Sequence, residues 1–378
     1  MRVTIDRTGS LEGLSQLLQA LDSDPDVQGV VLLACDGDGH RPEALDPILR
    51  QTQKPVFGGL FPQLVFEGEH LEHGTIAVGL PSRPALAVVE NVSRPGLDVD
   101  AALSTAFPEP AASLPRTLFV FVDGFSSKIS ALIDALFNAF GLDLNYLGGG
   151  AGSLSLKQGP CVITPAGLLV DAAVVALVDV DSGVGVAHGW RPVSGAYKVT
   201  ESEGNVVHTL DWRPAFEVYR EVVEAHSGRR FVDTDFFSLA KAYPFGIAKL
   251  ESEMIVRDPL TAQEQSLVCV GEVPQGSFVR VLNGDRESLL AAARQARAMA
   301  SEQIDPSKAG AQFFIDCISR VLFLGDRFSD ELDAVRSTSV PTFGALTLGE
   351  IANNGRDYLE FYNKTAVVGL LAPRSRGS

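Results

Sequence analysis

The strongest constraint on how this chain folds is an order of elements that recurs along it. Residues 29–35 (Gly-Val-Val-Leu-Leu-Ala-Cys) form a short, β-branched, wholly apolar run, the pattern of a strand buried on both faces. The run ends in the turn signal Asp36-Gly37-Asp38-Gly39, and a helix near 41–52 leads to the glycine-containing strand Val56-Phe57-Gly58-Gly59-Leu60-Phe61. Strand pieces at 62–67 and 74–80 follow. The order returns with a strand at 117–122, the loop Asp123-Gly124-Phe125-Ser126-Ser127, a helix at 128–140, the segment Tyr146-Leu147-Gly148-Gly149-Gly150-Ala151-Gly152 and a strand at 172–178. It returns again from Phe313 through a helix near 327–336, Phe343-Gly344-Ala345 and a final strand at 365–371. A fourth, weaker copy is read through the helix at 214–226 and strands at 243–248 and 266–271. A unit used three or four times predicts an α/β (α+β) architecture of mixed sheets with helices outside, and two stacked sheets would accommodate four copies.

The chain length of 378 residues suits two domains, or three small ones. Prolines 84, 95, 108, 110 and 115 make the segment 83–116 a boundary. A second break is expected near 181–200, where Gly183, Gly185, Gly189 and Gly195 cluster. Two amphipathic helices stand outside the repeat, at 11–24 and 286–303, and the tail 373–378 is expected to be disordered.

Charge excludes some partners. With 31 Lys and Arg against 47 Asp and Glu, the net charge is −16, and no cluster of basic residues offers a face to nucleic acid or to an anionic membrane. The most apolar stretch, 167–187, is broken by Asp171, Asp179 and Asp181 and cannot span a bilayer. The four cysteines form no C-x-x-C pair and sit in or beside apolar runs, as buried thiols of a reducing compartment do. The first residues lack the apolar core of a signal peptide, so a cytoplasmic location is expected.

Candidate chemistry lies in the loops and glycines of the repeat. Gly58, Gly59, Gly149, Gly150 and Gly344 occupy related places, where backbone N–H groups could line a pocket floor or where strands could simply pack closely. Asp36, Asp123, Asp316, Ser126, Ser127, Ser319 and Arg320 sit at the ends of buried strands, the position at which α/β proteins place ligand groups, though Asp and Ser there also cap helices. Arg320 could grip a carboxylate in bidentate fashion, because a charge directly after an apolar strand needs a partner. His70 and His73 give H-x-x-H on a hairpin-like stretch, read as a solvated loop, and no metal site is expected there. His188, beside Trp190, is either a structural histidine or a haem or metal ligand. Walker A and G-x-S-x-G motifs are absent, so a hydrolase or transferase would have to be built from Asp123, Ser126 and Lys128.

Several of these segments together resemble a known family. The stretch Asp316-Cys317-Ile318-Ser319-Arg320, then Leu324-Gly325, Gly349-Glu350-Ile351 and Leu359-Glu360-Phe361-Tyr362-Asn363-Lys364-Thr365, resembles the FIST (F-box and intracellular signal transduction) C-terminal domain. Pro55 to Gln63, Gly148 to Gly152 and Gly189-Trp190-Arg191-Pro192 with Val199-Thr200 resemble the FIST N-terminal domain. The division would then run 1–190 and 191–372. The resemblance implies a cytoplasmic sensory protein that binds a small ligand, an amino acid or similar carboxylate, and signals through a separate partner such as a histidine kinase or cyclase. Some bacterial members bind haem and sense nitric oxide, which makes haem the one cofactor to consider, with His188 its candidate ligand. In the amino-acid version, Gly58, Gly59, Gly149 and Gly150 hold polar atoms, Arg320 pairs with the carboxylate, and Glu350 or Asp123 takes the amino group.

Overall fold

The computed structural model describes residues 1–107, 116–248, 254–353 and 358–374. Its framework grows from three long buried runs that become parallel strand pairs. The first unit is β1 (Arg2–Asp6), α1 (Leu11–Asp22), β2 (Gly29–Cys35), α2 (Pro42–Gln51), β3 (Val56–Phe61), the hairpin β4 (Gln63–Phe66) and β5 (Glu69–Leu71), and β6 (Thr75–Leu80). The second repeats it: β7 (Ala85–Glu90), α3 (Val99–Ala106), β8 (Arg116–Asp123), α4 (Ile129–Phe140), β9 (Leu144–Ala151), the hairpin β10 (Val162–Thr164) and β11 (Gly167–Leu169), and β12 (Ala172–Val178). The third opens with β13 (Val180–Ala187) and is then interrupted by an insertion. That insertion runs β14 (Arg191–Pro192), β15 (Tyr197–Glu203), β16 (Val206–Leu210), β17 (Arg213–Pro214), α5 (Ala215–Ser227), α6 (Phe236–Ala240), β18 (Phe245–Ile247), β19 (Ile255–Gln263), β20 (Ser266–Val270) and β21 (Phe278–Asn283). The third unit resumes with α7 (Arg286–Gln303), β22 (Ala311–Cys317), α8 (Ile318–Leu324), α9 (Phe328–Val335), β23 (Thr342–Thr347), the hairpin β24 (Glu350–Ala352) and β25 (Glu360–Tyr362), and β26 (Ala366–Pro373).

The three units exchange hairpins in a ring. The sheets read β1-β6-β2-β3-β10-β11, β7-β12-β8-β9-β24-β25 and β13-β26-β22-β23-β4-β5. Each has one parallel pair, β2–β3, β8–β9 or β22–β23, flanked by antiparallel strands. The hairpin of the first unit completes the third sheet, that of the second the first, and that of the third the second. The exchange covers the edges that unpaired strands would expose. Phenylalanines from all three sheets meet at the centre, with Phe57 and Phe119 6.0 Å apart, Phe119 and Phe313 5.8 Å, and Phe313 and Phe343 4.9 Å between ring centres. The expectation of two stacked sheets is corrected to three sheets around this aromatic core.

The glycines of the repeat sit at one register. Gly58 faces Leu32, Gly148 faces Val120 and Gly344 faces Phe314 across the parallel pairs. A Cβ there would lie 1.9, 1.7 and 1.7 Å from the opposing carbonyl oxygens, so these positions admit no side chain. The second glycine cluster has a similar cause: a Cβ at Gly185 would lie 1.8 Å from the carbonyl of Ala296, because α7 lies flush on β13.

The insertion replaces the supposed fourth copy. Its strands are all antiparallel and close into a ring in the order β15-β16-β20-β19-β18-β21 and back to β15. This barrel has its own core around Tyr219 of α5, whose hydroxyl donates to the carbonyl of Tyr243 at 2.8 Å. The boundary expected at 190/191 therefore marks where the chain leaves the three-sheet core for the barrel. It does not separate two halves, since β4–β5 pairs with β23 and β24 with β9. Of the boundary segment 83–116, residues 85–90 form a strand, 99–106 a helix, and 108–115 lie outside the described residues. Of the tail expected at 373–378, Pro373 pairs with Val180 and Arg374 bonds Asp181 at 2.8 Å, while 375–378 lie outside the described residues. No helix among the described residues is long and apolar enough to cross a membrane.

Candidate functional site

The carboxyl ends of β8 and β22 open onto one cavity of about 780 Å³, closed on its far side by the barrel. The core contributes the loop Gly124–Ser130 and the segment Cys317–Ser319 with Leu322. The barrel contributes the β15–β16 turn, Asp258 and Leu260 of β19, and Cys269 to Glu272. Phe237 of α6, Leu154, Leu156, Leu348, Phe361 and Asn363 complete it. The volume falls in the range of sites for small molecules, and the end of parallel strands is where such sites form.

The β8–α4 loop is held by Asp123. Its carboxylate accepts the N–H of Phe125 at 3.0 Å, the amide of Gln158 at 2.8 Å and the N–H of Asp171 at 2.8 Å. With those bonds and no exposure it is a structural clamp, and it does not line the cavity. Ser126 does line it, with its hydroxyl donating to Asp171 at 2.8 Å. Lys128 lies exposed at the mouth. The trio Asp123, Ser126 and Lys128 therefore forms no relay: the serine proton points to Asp171, and Asp123 is spent on the loop.

The polar end of the cavity is built where barrel and core meet. Asp258 of β19 pairs with the ammonium of Lys364 at 3.1 Å, both almost fully buried. Burial pushes the Asp258 carboxyl up, and Lys364 pulls against that shift. Lys364 also donates to the carbonyl of Lys241 at 2.9 Å and lies 5.1 Å from the Trp190 ring centre. Its carbonyl accepts the Trp190 indole N–H at 3.1 Å. Arg257 adds a second tie, donating to the carbonyls of Glu272 in the barrel and Phe361 in the core, each at 2.9 Å. Next to Lys364, Asn363 is 1% exposed, lines the cavity, and has no hydrogen-bond partner for either side-chain amide atom. A buried amide left in this state costs free energy, so the site is primed for a donor and acceptor from outside. Cys317 and Ser319 lie 3.0 Å apart, sulfur to hydroxyl, on the core wall. Burial pushes the Cys269 thiol up to about 12 and raises Cys317 as well, so neither is a ready thiolate.

Arg320 lies behind the wall, fully buried and away from the cavity. Its guanidinium bonds Glu331, lies 3.1 Å from Asp316, and donates to the carbonyls of His188 (2.7 Å), Lys364 (3.2 Å) and Leu289 (3.2 Å). With these its donors are used, which corrects the expectation that it grips a ligand carboxylate. Burial opposes its charge, but Glu331 and Asp316 outweigh that and raise its pKa. Glu350 is buried too, accepting from the Thr347 hydroxyl at 2.9 Å and the Thr365 N–H at 3.2 Å, and burial pushes it up to about 8. It does not reach the cavity and takes no ligand amine.

The glycines are likewise corrected. Gly58, Gly59, Gly149, Gly150 and Gly344 lie inside sheet ladders, none lines the cavity, and the Gly150 N–H already bonds the Gly349 carbonyl at 2.8 Å. Of the expected site residues, Ser126, Ser127, Lys128 and Ser319 line the cavity. His188 does not; it is 4% exposed, its Nδ1 accepts the Trp190 N–H at 2.9 Å, and burial, then Arg320, pushes it down to about 3. No histidine lines the cavity, so neither His188 nor any other imidazole fits a haem there. Among the described residues no group of three or more His, Cys, Asp or Glu side chains is placed to hold a metal. Asn363 and Asp258 were not singled out as site residues by sequence. The signals for them were Arg257-Asp258 inside an apolar strand and the polar triplet Asn363-Lys364-Thr365 directly before one.

The chain is similar, at 26% identity over 111 residues, to an uncharacterized protein of Methanocaldococcus jannaschii; the match covers 26% of this chain and 21% of that relative. The chain thus spans about a fifth of the curated relative's length. Family models match far more of it: the FIST N domain over residues 29–213 and the FIST C domain over 215–353. The join between the two models falls inside the barrel, between β17 and α5. The cavity draws on residues of both, and the chain belongs to the FIST family, whose domains are associated with signal transduction and sensing.

Proposed function

We propose that the protein is a sensor that binds a small ligand in the cavity between core and barrel and passes its occupancy to a signalling partner, such as a histidine kinase or cyclase. The observation that carries this reading is Asn363, a nearly inaccessible amide with both polar atoms unpartnered, in a cavity otherwise lined largely by apolar side chains. A ligand that satisfies Asn363 touches core and barrel at once. It therefore favours one placement of the barrel over another, and such a difference in affinity between two states is what signalling requires. Amino acids are one ligand class the screen tests, with Asn363 and Ser319 as their polar contacts in place of Arg320.

The test is a thermal-shift screen of wild type and Asn363→Leu against the amino acids, simple organic acids and their amides. A ligand at 100 times its Kd adds about 2.7 kcal/mol of stability. At about 2.1 cal/mol/K per residue of unfolding entropy, that raises Tm by roughly 3 °C. The account expects a selective rise in wild type that Asn363→Leu abolishes. A rise of equal size in both proteins contradicts it.

A further inference from the structure

The cavity also specifies what class of ligand it takes, an inference that rests on the sensor reading above. Three features bear on it. At the polar end the Asp258 carboxylate is paired with the Lys364 ammonium at 3.1 Å, so the two charges offset each other. Close behind, Asp316 and Glu331 flank the cation Arg320, and Glu350 beside them is pushed up to about 8 by burial and so adds no negative charge at neutral pH. The mouth carries Glu203 and Glu272 against Lys128, on a chain of net charge −16. An anionic head would enter against this field, and a cationic head would find its counter-ion already engaged. The Asn363 side chain offers one N–H₂ donor and one carbonyl acceptor, the complement of another amide.

The rest of the cavity is apolar and leads outward. Phe125, Ile129, Leu348 and Phe361 line its body. Leu154, Leu156 and Leu322 stand at its mouth, 42, 63 and 40% exposed. Leu156 is held at φ +55°, a conformation unusual for a bulky side chain. Exposed leucines converging on one opening mark a surface meant to be covered. The volume of about 780 Å³ exceeds what a free amino acid fills and suits a ligand of drug size.

We propose that the ligand is an amphiphile with an uncharged, amide-like head seated on Asn363 and an alkyl or aryl tail that runs past Phe125 and Ile129 to the leucine-lined mouth. The head exchanges two hydrogen bonds with the Asn363 amide, and Ser319 is the neighbouring hydroxyl. The tail covers Leu154, Leu156 and Leu322.

Calorimetric titration of the full chain with hexanamide, octanamide, octanoate and octylamine separates head from tail, with leucine and phenylalanine as amino-acid controls. The expected result is binding of both amides, with about three- to fourfold tighter Kd per added methylene. Octanoate and octylamine should bind at least tenfold more weakly than octanamide. Asn363→Leu should remove the preference for amide over octanoate, while Leu156→Asp, a change on the surface, should flatten the gain from hexanamide to octanamide and leave the folded state intact. Tighter binding of octanoate, octylamine or the amino acids, lost in Asn363→Leu, overturns the ligand class and leaves the sensor site standing. Binding of none of the probes overturns the ligand class, and binding unaffected by Asn363→Leu overturns the site itself.

Discussion

Glu350→Gln should stabilise the protein relative to wild type by a margin that widens as pH rises. Glu350 is fully buried, with Thr347 and Thr365 as hydrogen-bond donors, and its pKa stands at about 8 in the folded state because burial disfavours the charge. In the unfolded chain it returns to the ordinary carboxylate value of about 4.3. Between these values the folded state holds a proton that the unfolded state has released, so stability is lost as pH rises through the window, by up to about 1.4 kcal/mol per pH unit. Roughly 3 kcal/mol is lost between pH 5 and pH 8. Glutamine keeps the shape, still accepts from the Thr365 N–H, and has no charge to bury. With unfolding entropy of about 2.1 cal/mol/K per residue over the whole chain, the Tm advantage of the variant should widen by about 4 °C from pH 5 to pH 8. Calorimetric melts of both proteins at the two pH values measure it. Asp316, Glu331 and Asp258 are also raised by burial, but they are present in both proteins and largely cancel in the difference. A Tm difference that stays constant with pH, or that shrinks as pH rises, would refute the claim that Glu350 is held protonated by burial.

Three further outcomes follow from the geometry. Arg320→Met leaves Asp316 and Glu331 without their cation and should cost about 3–5 kcal/mol, read as a fall in the denaturation midpoint; unchanged stability would mean the hub is not structural. Gly344→Ala puts a methyl into the Phe314 carbonyl and should abolish soluble, folded protein, whereas Gly159→Ala, at a glycine with open space around it, should not; circular dichroism of the two distinguishes them. Asp285→Ala removes the capping box of α7, in which Asp285 accepts the Ser288 N–H at 2.7 Å, and should lower stability by about 1 kcal/mol in urea denaturation.

Much of the framework was legible because it is local. The apolar runs at 29–35 and 172–178 became strands with those bounds, and the three copies of the repeat are the three units around the aromatic core. What stayed hidden depends on contacts between residues far apart. Nothing near Gln63–Phe66 says that this hairpin pairs with Phe343–Leu346 and not with its own unit. The barrel resembles a fourth copy in sequence because helix-then-strand order looks alike whether the strands run parallel or antiparallel. Arg320 was rightly expected to need a partner, but the partners are Glu331, eleven residues on, and Asp316, both inside the protein. Asp258 and Asn363 come together across the core–barrel junction from positions more than a hundred residues apart, so no motif contains both.

The central claim is that ligand occupancy joins core to barrel at Asn363, and hydrogen exchange tests it most directly. The compound giving the largest Tm rise in the screen is added at saturation and amide exchange is compared with the free protein. The account predicts slower exchange in three separate segments at once: the β8–α4 loop of the core, Asp258 to Glu272 of the barrel, and the turn carrying Asn363 and Lys364. Protection confined to the barrel alone, or to any surface that leaves the Asn363 turn unchanged, would contradict it.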